Sequence, residues 1–242
     1  MVLADTVPER TRLPRGALVG AATAIKLTPG VFVAYWNATK RWRAAGVAIA
    51  TTAGIWALTA LLRPDLSHTY WFDIAIHPTR AGDLASVIDQ STNGVLLRLG
   101  WTSGVLWVAF AALALGVGLV RASAAHRAGN ELAAITLIGI AGVLASPVSW
   151  IHHAVWIVPA TGVILGDGRD RGRRIAWTAT TVLFLLHVPV WSTLLGLSTG
   201  GPGAIVLGNA YVWAAWGLLL FLPTRAVVVE AHEVASLGVS VP

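Results

Sequence analysis

The sequence predicts an all-α polytopic integral membrane protein, with about six transmembrane helices plus one re-entrant hairpin. Composition is the first reason. Of 242 residues, 56% are hydrophobic and only 12% are charged, and mean hydropathy is +0.71, whereas a soluble domain carries about 25% charged residues. The second reason is pattern. Seven apolar segments alternate with short basic clusters, which is how a chain that crosses a bilayer repeatedly is punctuated. The absence of cysteine excludes disulfides, thiolate metal sites and cysteine nucleophiles. Many of the 12 Trp fall near the ends of apolar segments, as interfacial anchors do.

Residues 1–15 lack the apolar core of a signal peptide and read as a cytoplasmic tail. The membrane domain, 16–222, contains apolar segments at 16–36, 44–62, 99–120, 132–145, 151–165, 175–195 and 204–222. Basic clusters stand at Arg10/Arg12/Arg15, Lys40/Arg41/Arg43, Arg121/Arg127, Arg169/Arg171/Arg173/Arg174 and Arg225, together 13 of the 17 cations. Assigning all five to the cytoplasm gives a consistent map. Segment 44–62 goes out and 99–120 returns; 132–145 and 151–165 form a second pair, and 175–195 and 204–222 a third. The excess of cations, net +6, is then a matter of topology and does not imply nucleic acid. Segment 16–36 has basic flanks on both sides yet is too short to cross twice. Pro29 at its centre lacks a backbone donor and disfavours helix at Thr28. A re-entrant pair of half-helices meeting at Thr28-Pro29 satisfies the charge rule; a single kinked span with the N-terminus outside is the alternative. The polar connection 63–98 is extracytoplasmic on this map, with Asp73 to His77 readable as one helical turn on the membrane surface. Residues 223–242 read as a cytoplasmic tail.

Three polar clusters interrupt this apolar background. They are Lys26-Leu27-Thr28-Pro29; Asp89-Gln90-Ser91-Thr92-Asn93-Gly94, followed by Arg98; and Ser146-Pro147-Val148-Ser149-Trp150-Ile151-His152-His153. A polar side chain in hydrocarbon costs several kcal/mol, so each cluster lies at a surface or lines a wet cavity. The charge map puts the second and third at the outer face, with the tip of the Lys26 hairpin approaching from below. Lys and Arg are the donors a phosphate needs. Carboxamides and hydroxyls suit a sugar, and an imidazole shares protons near neutral pH. The set fits a lipid-phosphate sugar better than an ion. Each part has a plainer reading as well. Lys26 can snorkel, Asn93-Gly94 is a common turn, and Asp89–Ser91 can cap the following helix. His152 and His153, if helical, diverge by about 100° and do not chelate one metal together.

Taken in order, the three clusters resemble glycosyltransferase family 87, the polyprenyl-phosphomannose-dependent α-mannosyltransferases of the GT-C class. That family's motifs read K-x-T-P, N-Q-S-x-x-G and S-P-x-S-W-x-H-H, and the resemblance runs over residues 15–222. It implies a multi-span enzyme at the outer face of the plasma membrane. Such an enzyme transfers mannose from a polyprenyl-phosphate donor to a glycolipid or lipid-linked acceptor, without a nucleotide sugar; the residues suggest no cofactor and no metal ligand set. By position, the resemblance makes His152, His153 and Asp89 the catalytic candidates. It makes Lys26, Gln90, Ser91, Asn93, Arg98, Ser149 and Trp150 the substrate-binding candidates. Asp89 stands where the motif has Asn. The resemblance also implies a catalytic acidic residue in a first extracytoplasmic loop ahead of the Lys26 segment, so the chain is expected to be the C-terminal portion of such a transferase. A separately encoded N-terminal half is then a possible partner. A non-catalytic membrane transporter or interaction subunit is the alternative.

On this reading, transfer from polyprenyl-phosphomannose by this chain alone is expected to be absent or severely impaired. Robust turnover in a reconstituted assay would refute that expectation and point to Asp73, Asp83 or Asp89 as the base.

Overall fold

A computed structural model describes residues 13–75, 82–197 and 201–225. Arg10 and Arg12 of the N-terminal tail, His77 and Arg80 of the polar connection, and residues 226–242 of the C-terminal tail lie outside the described residues. All regular structure among the described residues is helical.

The fold is built around α7 (Glu131–Ala145), in which 11 of 15 residues are buried. A helix apolar on every side belongs in an interior, and small residues let its neighbours approach. Gly118 of α6 (Gly104–Arg127) meets Ala141 so closely that an added Cβ would stand 2.4 Å from the alanine's. Gly139 faces the ring of Trp156, and Gly142 faces Val31. The 3-10 stretch Ile151–Trp156 and α8 (Ile157–Leu165) return beside α7, with Gly162 against Leu132.

The segment before Lys40 doubles back on itself. α1 (Ala17–Ile25) lies alongside α3 (Trp42–Leu62) and runs in the same direction. Gly16 meets Ala44 and Gly20 meets Ala48 and Thr51; Thr52 Oγ1 donates to the Gly20 carbonyl (2.8 Å) and Trp56 Nε1 to that of Ala24 (3.1 Å). The chain breaks at Lys26, passes through a 3-10 turn at Thr28–Gly30 and returns in α2 (Val31–Ala38) to the start of α3. Its two ends share one cavity wall, Pro14 and Arg15 standing with Trp36 and Lys40. The two arms form a helical hairpin that brings the two basic flanks of 16–36 to one side. The Gly16-x-x-x-Gly20 spacing, a close-packing signature for apolar helices, holds its outgoing arm.

The basic clusters gather at one end. Arg41 bonds Glu131 in bidentate fashion, with His126 and the Tyr35 hydroxyl on the same carboxylate, joining α2, α3, α6 and α7. Arg173 donates to the carbonyls of Val163 and Ile164 at the end of α8. Arg121 donates to those of Leu219 and Leu222 at the end of α12 (Ala210–Phe221). Lys26, His153 and the irregular segment around Asp89 lie together at the other end.

Among the described residues two helices, α3 with 21 residues and α6 with 24, are long and apolar enough to cross a membrane. Segments 175–195 and 204–222, expected to be continuous, are bent pairs. α9 (Arg171–Leu185) meets α10 (Val188–Leu194) at 46°, and α11 (Pro202–Gly208) meets α12 at 60°, so the number of spans is four if each pair counts as one. The causes are local. His187 sits in the left-handed region at φ 50 just before Pro189, and Asn209 turns its side chain back onto the Ile205 carbonyl. α7 has 15 residues and is about 22 Å long against a hydrocarbon thickness of about 30 Å, so it does not qualify by length. The start of the polar connection is α4 (Pro64–Thr69) running into a π-helical turn, Tyr70–Ile74, which contains Asp73; the rest of the turn expected at Asp73–His77 reaches outside the described residues.

Gly139→Ala is expected to destabilise the protein by about 1–3 kcal/mol through overpacking, because the new Cβ would stand 2.3 Å from the Trp156 ring. Gly46→Ala, inside α3 with nothing within 4 Å, is expected to stabilise by about 0.5–1 kcal/mol. Thermal unfolding midpoints in detergent check both.

Candidate functional site

All three polar clusters singled out by the sequence meet at one end of the bundle. Residues 88–90 lie antiparallel to 149–151, two non-helical segments sharing their backbone bonds. Ile151 N donates to Ile88 O (2.9 Å) and Gln90 N to Ser149 O (2.6 Å), with Asp89 opposite Trp150. Asp89, fully buried, places one carboxylate oxygen to accept from the amides of Ser91 (3.0 Å) and Ser149 (2.8 Å). One side chain thereby joins the loop to the 146–150 turn.

Ser91 caps α5 (Thr92–Arg98) by accepting from Gly94 N at 3.0 Å, the capping role its position allowed. Gly94 is needed there, since a Cβ would stand 2.8 Å from the Asp89 carbonyl oxygen. Asn93 Nδ2 and Ser91 Oγ both donate to Pro147 O, at 3.1 and 3.4 Å. Arg98 donates to the carbonyls of Ser86 and Asp89 and, through Nε, to Asn209 Oδ1 at 2.8 Å. Gln90 donates to the carbonyls of Val87 and Gly208, and Ser149 Oγ to that of Val143. The second cluster therefore satisfies backbone: its polar groups hold the irregular segments in one arrangement. Asn209, 1% exposed, is a member that the sequence reading passed over. The available signal was a carboxamide in the middle of an apolar run.

Lys26 and the two histidines are placed differently. Lys26 ends α1, and its Nζ stands 2.9 Å from His153 Nε2. An ammonium can only donate, so Nε2 accepts and the imidazole proton belongs on Nδ1. That nitrogen is buried and meets no acceptor among the described residues. His152 is exposed and His153 half-buried, with ring centroids 4.3 Å apart. Residues 151–156 are 3-10 and not α-helical, which parts neighbouring residues by about 120° around the axis instead of about 100°, and the two rings approach nonetheless. A cavity of about 180 Å³ is lined by Lys26, Thr28, Ser149, His152, His153 and Trp156. A smaller one, about 30 Å³, lies beyond His153 and takes in Gln90, Trp150, Phe184 and Tyr211. Among the described residues no carboxylate lines either cavity. The Trp150 ring is covered by Gly82, whose φ of +120 excludes most other residues. A cation, two imidazoles and a hydroxyl around an open cavity form a place for an anionic oxygen group such as a phosphate.

The model of glycosyltransferase family 87 matches residues 1–147. A polyprenol-phosphate-mannose-dependent alpha-(1-2)-phosphatidylinositol mannoside mannosyltransferase of Mycobacterium tuberculosis is 38% identical over 233 residues, which is 92% of this chain and 53% of the relative. The protein of the same description from Mycolicibacterium smegmatis is 32% identical, covering 96% of this chain and 57% of the relative. A Mycobacterium tuberculosis phosphatidylinositol pentamannoside mannosyltransferase is 31% identical over 87% of this chain and 49% of its own length. The chain thus spans about half the length of the curated relatives it matches. No solved structure matches it.

Burial pushes the Asp89 carboxyl above the ordinary carboxylate range, with the amides of Ser149 and Ser91 and the charge of Arg98 pulling it back. Burial also lowers Arg98 to about 10, against the opposing pull of Asp89. A carboxyl raised in the folded state destabilises the fold while ionised, and that penalty fades as pH falls through the folded pKa. Asp89→Asn keeps an acceptor oxygen for both amides and cannot ionise. The variant is expected to melt above the parent at neutral pH, and the gap to close in acidic buffer. A gap that widens on acidification would show that the ionised form is the favoured one.

Proposed function

The chain belongs to glycosyltransferase family 87, and from that premise we propose that its polar end is the donor-phosphate wall of a membrane mannosyltransferase site. The donor is a polyprenyl-phosphate sugar and the acceptor a glycolipid of the phosphatidylinositol-mannoside type, as the relatives' descriptions name them. The observation that carries this reading is the contact between Lys26 and His153 beside an open cavity. An arriving phosphate exchanges the neutral imidazole for an anionic partner of the ammonium, and charge-assisted bonds of that kind are roughly twice as strong as neutral ones.

In this reading Lys26 and His153 bind the phosphate and stabilise the negative charge that grows on it as the glycosidic bond breaks. His152, at the exposed rim, lies where it can donate to the same group. Trp150 and Gln90 stand on the sugar side. Asp89, Ser91, Asn93, Arg98 and Ser149 act as positioning residues that hold the 146–153 turn. The base that activates the acceptor hydroxyl is to be sought outside the residues lining the two cavities. The positive-inside rule puts the Arg41, Arg121 and Arg173 end in the cytoplasm and the Lys26 end at the outer face of the plasma membrane. Counting α7 and 151–165 as short spans completed by their flanks gives six crossings and the re-entrant hairpin.

The test uses a full-length relative with the residues aligned to Lys26 and His153 replaced. Lys26→Gln and His153→Ala are each expected to lower transfer from polyprenyl-phosphomannose by roughly 10²–10³-fold, whereas Asp89→Asn stays within about tenfold. Survival of full activity in both the lysine and histidine variants would sink the phosphate assignment.

A further inference from the structure

We propose that the opposite, basic end of the hairpin holds a second site, which binds the phosphate headgroup of an anionic phospholipid. A cavity of about 560 Å³ opens there between the start of α1 and the α2–α3 turn. Its lining includes Arg15, Lys40, Arg41, Arg43, Trp36 and Trp42, with no acidic residue among the described ones. A concavity lined with cations attracts an anion, and Lys40 and Arg43 supply the charge that meets it.

Their pairing is uneven. Arg41 turns inward onto Glu131. Lys40 and Arg43 are exposed and have no ion-pair partner among the described residues. The backbone of Lys40 is held in the left-handed region at φ 60, where Gly or Asn would sit with less strain. The turn is fixed by Lys40 N donating to Asn37 O and Arg41 N to Trp36 O. These are the two bonds of a Schellman cap that ends α2 with Lys40 as its left-handed residue, and the cap fixes where the Lys40 side chain leaves the turn.

The surroundings select a lipid over a free anion. Trp42, 61% exposed, stands at the mouth as an interfacial anchor does. Val47 continues the wall up α3, a helix able to cross a membrane, whose Ile49 is 54% exposed just beyond. A headgroup seated among Lys40 and Arg43 can lay its acyl chains along that apolar face. Basic pockets beside membrane helices hold anionic headgroups in this way. The site is at the far end of α1 from Lys26, so it stands or falls independently of the transfer reading.

The experiment measures lipid retention by the detergent-purified protein with native mass spectrometry, comparing dioleoyl-phosphatidylglycerol with dioleoyl-phosphatidylcholine and titrating inorganic phosphate as competitor. The wild type is expected to retain the phosphatidylglycerol preferentially. The double variant Lys40→Gln/Arg43→Gln is expected to lose roughly 25-fold in that affinity, each basic side chain near a membrane surface being worth about a factor of five. The charge-preserving Lys40→Arg/Arg43→Lys should restore it, which separates lost charge from a misfolded turn. Equal retention of both lipids by the wild type, or unchanged preference in the glutamine variant, overturns the proposal. Displacement by millimolar inorganic phosphate alone would assign the pocket to a free anion and overturn the lipid headgroup.

Discussion

Backbone groups that leave a helix in apolar surroundings have to find partners of their own, and most of the polar end follows from that constraint. Residues 88–91 and 146–150 are both irregular, and they answer each other's need by pairing antiparallel. Asp89 closes the arrangement with one oxygen on two amides, and the amides of Asn93 and Gln90 and the guanidinium of Arg98 take up the carbonyls left over. An unsatisfied buried backbone group costs about as much as a lost hydrogen bond. The density of Asp, Gln, Ser, Asn and Arg in so short a run is thus first a structural necessity. Lys26 and His153 stand apart because their partner is a side chain and their neighbour is an open cavity.

Much of this was legible in the residues. Polarity inside apolar runs marked the three clusters, and these meet at one end of the bundle. The basic flanks of 16–36 pointed to a chain that doubles back, and α1 and α2 form a helical hairpin, with Arg41, Arg121 and Arg173 at the end away from Lys26. What was not legible turns on single backbone angles and on the choice of partner. His187 in the left-handed region and Asn209 at a helix break divide segments whose composition is uniformly apolar. Likewise, a sequence shows that Ser91 and Asn93 can accept and donate but not whether backbone or ligand receives the bond. The histidine pair illustrates the same gap, since the two rings approach to 4.3 Å although helical spacing parts neighbouring residues.

The apolar surface has its own division of labour. α7 is buried on all sides, whereas α3 and α6 carry large exposed side chains such as Leu58, Leu61, Val105 and Val120. Between such helices there is no hydrophobic gain over lipid, so association depends on close backbone approach. Gly16 and Gly20 supply that against α3, and Gly118 against α7.

The hairpin can be viewed mechanically. Its root is fixed twice, by the Gly16–Ala44 contact and by the carboxylate of Glu131 shared among Arg41, His126 and Tyr35, while its tip carries the Lys26 ammonium. α1 is also tied to α3 further along, by Thr52 on the Gly20 carbonyl and Trp56 on that of Ala24, so it is a splint fastened along its length and not a free arm. The Lys26 ammonium therefore rides with α3, and a change in the tilt of that helix carries the charge with it.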